Sequence, residues 1–304
     1  MPAHTRSQLS FNAIVRDVHH FWNPTKFEQM IQFVKSKEVQ LWGLRKDRHY
    51  LKKHVYLTVY KDMKNIGYHA LYDRIKGWYK PTDRTLRHNI KTVRAYLAEW
   101  GASHVKTGDS KEWKSITKDM GLPDLVKDTN LWMDSSDFKL VGKTTTSKKH
   151  ESWSYKEKAP AQRFMCVSDG NGRIRYLRGG YSPKVGDSEF LAIQKEDFEE
   201  NFKDGVIIAD CGFEKAAKSL KKVKFHIAYS KNKGKKDGTG IKKLTKKQSE
   251  FNKAQRAARA RVESPFGIIK GKFKALSGFW AEEIEQQNYL VRYAVGMHNE
   301  NIRQ

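Results

Sequence analysis

Three acidic residues are distinguished by where the chain places them. Asp134 and Asp210 each end a short apolar segment, and Glu263 lies inside the most basic stretch of the chain. Burying an unpaired carboxylate costs free energy, so an acid at the end of an apolar strand needs a partner. Two carboxylates brought close together also repel each other, and a divalent cation between them removes that conflict.

The chemistry expected of these residues follows from the metal ions that their carboxylate oxygens can bind. Carboxylate oxygens suit Mg²⁺ or Mn²⁺, which also keep water molecules and bind phosphate oxygens. A pair of such ions can activate a water or a 3′-hydroxyl and stabilise the leaving oxygen of an in-line displacement. Asp134, Asp210 and Glu263 are therefore the predicted catalytic residues, and together they are the predicted ligands of two Mg²⁺ or Mn²⁺ ions.

Each of these acids also has a purely structural interpretation. Asp210 could cap the helix that follows it, and Asp134 could stabilise a turn with the serines after it. Asp137 competes with Asp134 for the first position, because strand phase alone does not exclude it. Glu263 could pair with Arg259 four residues earlier on one helix, an interaction worth roughly 0.3–0.5 kcal/mol.

The elements around these acids alternate between strand and helix. Short apolar segments predict strands, and apolar residues at helical spacing predict helices, with Pro265 expected to kink or interrupt one of them. The strands are predicted at residues 131–134, 163–168, 174–177, 205–210 and 225–229, and the helices at 187–201, 214–220, 245–274 and 281–300. The Asp-Gly-Asn-Gly sequence at residues 169–172 predicts a hairpin turn between the second and third strands. This order predicts an α/β fold with an RNase H-like catalytic domain over residues 126–304, in which the first strand is central and the fourth lies beside it.

Residues 1–125 are predicted to form an N-terminal α-helical DNA-binding region. Apolar residues at helical spacing indicate helices over residues 27–34 and 90–100, the second ended by Gly101, with Thr82 or Asp83 as its N-cap. Two helices joined by a short turn would fit a helix-turn-helix, although a helical bundle with a solvated basic face fits as well. The predicted DNA-binding residues on the second helix are Arg84, Arg87, Lys91 and Arg94.

The charge of the chain indicates a polyanionic partner. The formal net charge is +25, and residues 215–274 hold 20 Lys and Arg against three acids. Nucleic acid is the commonest polyanion that such a surface binds, but charge alone does not choose between DNA and RNA. The residues near Glu263 predicted to contact DNA phosphates are Arg256, Arg259, Arg261, Lys270 and Lys272.

Several other features limit the possible classes of protein. The two cysteines argue against a disulfide framework. The chain contains no run of roughly 18 apolar residues, so no membrane span is predicted. The Lys- and Gly-rich residues 230–247 predict a loop that could clamp target DNA, act as a nuclear-localisation signal or simply remain solvated. Trp153 and Tyr155 could stack on a base, although a role in the core is the commoner one for such residues.

Several motifs, taken in order, resemble one known family. They occupy residues 133–137, 154–158, 163–169, 180–188, 208–213 and 259–273. In this order they resemble DDE transposases of the PIF/Harbinger type, within the broad IS5-like group. The last motif is the most specific, because Arg259, Val262, Glu263 and Phe266-Gly267 match the family's pattern around its catalytic glutamate.

The resemblance implies an activity and its partners. It implies cut-and-paste transposition, with metal-dependent cleavage of transposon ends and strand transfer into target DNA. It also implies double-stranded DNA as partner, a homodimer or higher assembly on paired ends, a possible Myb-like accessory protein, and a nuclear location in a eukaryotic host or a cytoplasmic one otherwise. The alternatives are a domesticated descendant that binds DNA without cutting it, or a basic RNA-binding protein.

Overall fold

The computed structural model of the protein describes residues 8–42, 48–141, 152–230, 235–236 and 242–302. Within these residues the fold is mixed α/β, as predicted, and none of the described helices has the length and hydropathy that a bilayer-spanning segment needs. The helices are α1 (Phe11–His19), α2 (Pro24–Ser36), α3 (Arg48–Lys64), α4 (Tyr68–Ile75), α5 (Asp83–Ser103), α6 (Ser110–Thr117), α7 (Asp187–Ile193), α8 (Lys195–Asn201), α9 (Glu214–Ala217), α10 (Lys246–Arg259), α11 (Pro265–Lys272), α12 (Lys274–Ser277) and α13 (Ile284–Asn301).

The strands confirm the predicted succession and extend several of its members. They are β1 (Leu131–Lys139), β2 (Trp153–Ser154), β3 (Ala159–Asp169), β4 (Ile174–Tyr181), β5 (Val206–Ala209), β6 (Lys224–Ile227), β7 (Lys235–Lys236) and β8 (Lys242–Lys243). The last two form a small antiparallel pair inside the predicted loop of residues 230–247. Most of the remainder of that loop lies outside the described residues.

The chain divides into two compact units. The helical unit comprises Met1–Val105, Phe138–Val141 and Ile268–Gln304, and the sheet unit comprises Lys106–Asp137 and Gly142–Gly267. This division differs from the predicted boundary near residue 125, because the C-terminal residues group with the N-terminal helices.

Helix α5 is the central helix of the helical unit. Thr82, one of the two predicted N-caps, caps its first turn: the Thr82 hydroxyl accepts a hydrogen bond from the Thr85 N–H at 3.0 Å. The helix packs against α2, α3, α4 and α13, and these neighbours bury the apolar residues along its length.

Gly101 does not end α5, so the prediction of a C-cap there was wrong. The helix continues to Ser103, and Gly101 lies against the backbone of α13. A Cβ atom at Gly101 would lie 2.3 Å from the carbonyl oxygen of Arg292, and one at Gly296 would lie 2.4 Å from the Cα of Gly101. The two glycines therefore allow a close helix crossing that larger side chains would prevent.

The main sheet places β1 between β3 and β5. Its order is β2-β3-β1-β5-β6, with β4 also paired to β3. Strands β1 and β5 are parallel, as are β5 and β6, whereas β3 and β4 form the predicted antiparallel hairpin. The hairpin turn closes with the N–H of Gly172 donating to the carbonyl of Asp169 at 2.9 Å, and Gly172 has a φ of +80°.

The two faces of this sheet pack against different helices. Leu131 and Met133 of β1 belong to a core that includes residues of α7 and α8, whereas Trp132 packs with Ala254 and Ala258 of α10. Successive side chains of a strand point to opposite faces. Asp134 therefore shares the α10 side with Trp132.

Two predicted helices are interrupted. The predicted helix over residues 187–201 is two helices separated at Gln194. The predicted helix over residues 245–274 begins with a capping box of Thr245 and Gln248 but ends at Arg259, and α11 starts only at Pro265. Proline favours the first turn of a helix and disfavours helical geometry in the residue before it. Residues 260–264 therefore form a non-helical link, and the expectation that a helix carries Glu263 was wrong.

Candidate active site

Asp134 and Asp210 occupy equivalent positions on neighbouring parallel strands. In the register of β1 and β5, Trp132 is paired with Ile208. Asp134 follows Trp132 by two residues, and Asp210 follows Ile208 by two residues. Parallel neighbours lie about 4.8 Å apart in a sheet, so this register brings the two aspartates together.

The two aspartates line one cavity, which we call the aspartate cavity. Its volume is about 540 Å³. The strands contribute Trp132, Asp134 and Asp210 to its walls, and α10 contributes Arg256 and Arg259. The cavity is open to solvent and is lined by both acidic and basic side chains.

Both aspartates are oriented by hydrogen bonds to nearby groups. Asp134 Oδ1 accepts from the N–H of Ser135 at 2.9 Å, and its Oδ2 accepts from the hydroxyl of Ser264 at 2.7 Å. Asp210 Oδ1 accepts from the N–H of Gly212 at 2.9 Å, which caps the short 3₁₀ turn Cys211–Phe213. The capping interpretation of Asp210 is therefore confirmed, and it leaves the second carboxylate oxygen available.

Glu263 does not line the aspartate cavity. It is exposed and lies in the link between α10 and α11, although its neighbours Val262 and Ser264 both line the cavity. No group of three or more His, Cys, Asp or Glu side chains within the described ranges is close enough together to hold one metal ion. The structure therefore brings two of the three predicted acids together.

Asp137 has a different environment from Asp134. Its side chain is 1% exposed, and it accepts hydrogen bonds from Arg163 at 2.7 and 3.1 Å and from the Ser154 hydroxyl at 2.6 Å. Asp137 lies on the opposite face of β1 from Asp134, because the two positions differ by an odd number of residues. The aspartate cavity is lined by Asp134 and not by Asp137.

Arg256 and Arg259 give the cavity its positive charge. Arg256 is exposed and Arg259 half-buried, and both line the same cavity as the two aspartates. Within the part of the chain that the structure describes, neither guanidinium has a hydrogen-bond acceptor or a carboxylate partner. Arg261 is also exposed, and its guanidinium donates to the carbonyl of Gly121 at 3.4 Å.

Comparison with known families gives the class of the protein. Residues 133–299 match the family model of the DDE superfamily endonucleases, and this range is more than half of the 304 residues. The chain belongs to this family. Searches against curated proteins and against solved structures found no match. The family is of the nuclease and transposase type, and the matched range contains Asp134, Asp210 and Glu263.

The cavity of the endonuclease fits a divalent cation in its donor chemistry. Asp134 and Asp210 offer only oxygen atoms, and Mg²⁺ typically takes one or two carboxylates and completes its shell with water and phosphate oxygens. A predicted third carboxylate, Glu263, lies outside the cavity lining in this structure. The two aspartates are therefore the residues that would hold the ion.

The basic residues of the helical unit have several different environments. Arg94 is 0% exposed, donates to Asp62 and Glu282, and cannot contact DNA, so its prediction was wrong. Burial by itself lowers the pKa of Arg94, but the two acids raise it above its usual value. Arg84 and Arg87 are exposed.

The other predicted DNA contacts in the helical unit are partly engaged with neighbours. Lys91 pairs with Glu283, Lys270 lies over the Phe138 ring at 4.6 Å, and Lys272 lies over the Trp22 ring at 4.7 Å. Burial lowers the pKa of Lys272. Each of these three side chains is half-buried, so only part of it can meet a phosphate.

The aromatic pair singled out in the sequence is divided between two environments. Trp153 lies in β2 and is half-buried, whereas Tyr155 is 70% exposed. A core role for Tyr155 is therefore excluded.

Sequence reasoning assigned no role to Ser264 or Asp187 of the endonuclease. Ser264 binds Asp134, and Asp187 binds Ser135 at 2.8 Å. Burial raises the pKa of Asp187, with a further contribution from Asp210, against the lowering effect of its bonds to Ser135 and Arg163. The available signal for Asp187 was its place at a predicted helix start after Gly186, which does not reveal what it contacts.

Proposed function

We propose that the endonuclease is a DNA transposase of the PIF/Harbinger type with an RNase H-like catalytic domain. In this proposal it cuts transposon ends and joins the 3′ ends to target DNA by a cut-and-paste reaction. The family membership supports the nuclease class. The finer assignment is supported by the order of the motifs and by the sheet order, in which the first strand is central and β5 lies next to it.

The single observation that carries the proposal is the composition of the aspartate cavity. Two aspartates at the ends of neighbouring strands line one open space with Arg256 and Arg259 of α10, which have no ion-pair partner among the described residues. Aspartates attract a cation, and guanidinium groups bind phosphate oxygens through parallel hydrogen bonds. A phosphodiester with its metal ions satisfies both sets of charges.

The proposed cofactor is a pair of Mg²⁺ or Mn²⁺ ions. When bound, such a pair supplies an activated water or 3′-hydroxyl and stabilises the leaving oxygen. The Ser135 N–H and the Ser264 hydroxyl orient the Asp134 carboxylate, and the Gly212 N–H orients that of Asp210. Glu263 remains the proposed third ligand, because the link that carries it already reaches Asp134 through Ser264.

The proposed partner is double-stranded DNA, both as transposon terminal repeats and as target. Arg256, Arg259 and Arg261 would hold phosphates near the cavity, and Arg84 and Arg87 are exposed candidates in the helical unit. Such contacts position a duplex without specifying its sequence. A homodimer or higher assembly on paired ends, a Myb-like accessory protein and a nuclear location in a eukaryotic host belong to the same proposal.

The test is DNA cleavage by the purified chain in Mg²⁺ or Mn²⁺. The substrate is a supercoiled plasmid carrying the DNA that flanks the coding sequence, and an unrelated plasmid serves as its control. We expect metal-dependent cleavage and strand transfer, both abolished by Asp134→Ala, Asp210→Ala or Glu263→Ala, with DNA binding retained.

Two outcomes would contradict parts of this proposal. Metal-independent DNA binding without cleavage would indicate a domesticated DNA-binding protein, and tighter binding to RNA than to DNA would indicate an RNA-binding protein. If Glu263→Ala alone kept near-normal strand transfer, Glu263 would no longer be a proposed ligand.

A further inference from the structure

Asp187 contacts the strand of Asp134 from the side opposite the aspartate cavity. On β1, Ser135 and Met133 share one face of the sheet, and Asp134 and Trp132 share the other. The Ser135 hydroxyl donates to Asp187 Oδ1 at 2.8 Å. Ser135 directly follows Asp134 and also donates its N–H to the Asp134 carboxylate, so Asp187 holds the backbone that orients Asp134.

The start of α7, at Asp187 and Ser188, also contacts the turn that follows Asp210. A Cβ atom added at Gly212 would lie 2.8 Å from Asp187 Oδ2 and 3.0 Å from Asp210 Oδ1. The hydroxyl of Ser188 donates to the carbonyl of Gly212 at 2.7 Å and accepts from the N–H of Lys215 at 3.2 Å. The start of α7 therefore fixes the turn whose Gly212 N–H orients Asp210.

Arg163 fixes Asp187 in turn. Its Nη1 donates to Asp187 Oδ1 at 3.3 Å and to the carbonyl of Val185 at 3.2 Å. Its Nε and Nη2 donate to the two oxygens of Asp137 on β1. With 15% of the Arg163 side chain and 18% of the Asp187 side chain exposed, this contact is shielded from solvent and fixed in direction.

We propose that Asp187 is a positioning residue that sets the separation of Asp134 and Asp210 for cation binding. The inference rests on the proposed function. Asp187 reaches the segments after both aspartates, from the face of the sheet where no substrate would lie. Mg²⁺ demands near-ideal octahedral geometry, so a small change in the spacing of its ligands weakens binding. Groups that orient metal ligands typically contribute 10–100-fold to affinity or activity.

The competing explanation is that Asp187 only stabilises the fold. An acid in the first turn of a helix interacts favourably with the helix dipole, and its ion pair with Arg163 adds to stability. A structural role of this kind changes the unfolding free energy without changing the affinity of the folded protein for a cation. The two explanations therefore differ in a measurement of cation binding made without DNA.

The experiment measures Mn²⁺ binding by electron paramagnetic resonance of the free ion, for the full chain and for Asp187→Ala. Plasmid cleavage gives kcat and KM for the same proteins. We expect Asp187→Ala to weaken Mn²⁺ binding by about 10–100-fold and to lower kcat, with the KM for DNA nearly unchanged. Asp187→Asn keeps an acceptor for Ser135, so it should recover part of the loss.

Asp197→Asn is the matched control in the neighbouring helix α8. Its carboxylate accepts from the Tyr176 hydroxyl at 2.6 Å and from Arg178 at 3.0 Å. We expect this change to leave both Mn²⁺ affinity and kcat at their original values. If Asp187→Ala fails to fold, Ser135→Ala provides the test, because it removes only the hydroxyl that links Asp187 to β1.

The outcomes separate this inference from the proposed function. A wild-type chain that binds no Mn²⁺ and cuts no DNA would contradict both. Wild-type Mn²⁺ binding and cleavage, matched by unchanged values in Asp187→Ala, or in Ser135→Ala if Asp187→Ala does not fold, would overturn the positioning role alone.

Discussion

Two groups of charged side chains in this protein contain the same residue types but lie in different environments. In the helical unit, Arg94, Asp62 and Glu282 form a buried ion cluster in which Arg94 donates to Asp62 at 2.7 Å and to Glu282 at 2.9 Å. The hydroxyls of Tyr68 and Tyr293 donate to the same two acids. In the sheet unit, the aspartate cavity holds two acids and two arginines that do not pair with each other.

The difference shows how to interpret a charge in this fold. In the buried ion cluster every carboxylate is hydrogen-bonded and Arg94 has no exposed surface, so the group is complete without a ligand. In the aspartate cavity, Asp134 and Asp210 accept hydrogen bonds from uncharged groups, and among the described residues neither they nor the two arginines have an ion-pair partner. Unsatisfied charges of both signs are what a metal ion and a phosphodiester would complete.

Removing an acid of the aspartate cavity should give the largest effect on activity and a small one on stability. For Asp134→Ala or Asp210→Ala we expect cleavage to fall by at least about 10⁴-fold, or about 5 kcal/mol in activation free energy. The measurement is the rate of plasmid cleavage beside the free energy of unfolding in urea. Cleavage near the wild-type rate would place the chemistry elsewhere.

Breaking the buried ion cluster should have a large effect on stability. Arg94→Ala removes from the buried Asp62 its closest cation and leaves Lys61, at 3.8 Å, as a weaker ionic partner. This should lower the free energy of unfolding by about 3–5 kcal/mol. Arg87→Ala is the control on the same helix, because Arg87 is exposed, and its change should stay within about 0.5 kcal/mol. Urea denaturation measures the free energy of unfolding of both variants. Equal losses would show that the buried ion pairs of Arg94 do not stabilise the fold.

Low pH should destabilise the helical unit through protonation of Glu282. Burial by itself raises the pKa of Glu282, but Arg94 and Lys61 outweigh it and lower the pKa to about 2, against an ordinary 4.5. Its contribution, about 3 kcal/mol, is therefore complete above pH 4.5 and is lost as the pH falls towards 2.

The measurement is the free energy of unfolding as a function of pH, with Glu282→Gln as control. The variant should be less stable at neutral pH and should lose less stability between pH 4.5 and 2 than the wild type. Parallel curves for the two proteins would show that Glu282 is not the group responsible.

The smallest expected effect concerns an arginine of the aspartate cavity. Arg259→Gln should weaken DNA binding by about 1 kcal/mol and reduce the slope of log affinity against log salt by about 0.9. Fluorescence anisotropy over a range of salt concentrations measures both quantities. An unchanged slope would show that Arg259 does not contact a phosphate.

The sequence predicted the strands, and the aspartate that ends each of two apolar runs, because these depend on local patterns. An apolar run such as residues 205–210 must be buried, and an acid at its end must lie at the edge of that burial. The Asp-Gly-Asn-Gly turn likewise specifies a hairpin within a few residues. These are properties of neighbours in the chain, and the structure bears out the strands and the turn.

The ends of helices, and which side of a helix packs against a neighbour, were predicted less well. Gly101 could end a helix or allow a close crossing, and only the presence of α13 decides between the two. Pro265 was expected to kink or interrupt a helix, and the helix is interrupted, although the break begins at Ala260, five residues earlier. A proline disfavours helix before it, but how far back the break extends depends on the packing of both flanking helices.

The amino-acid sequence by itself determined which residues carry charge and which segments must be buried, since both follow from side-chain chemistry and short-range spacing. Only the tertiary structure decided that Arg94 is sealed in a core while Arg259 faces an open cavity, although both lie on amphipathic helices. The reason is that the environment of a helix face is set by the element packed against it, and that element comes from a distant part of the chain.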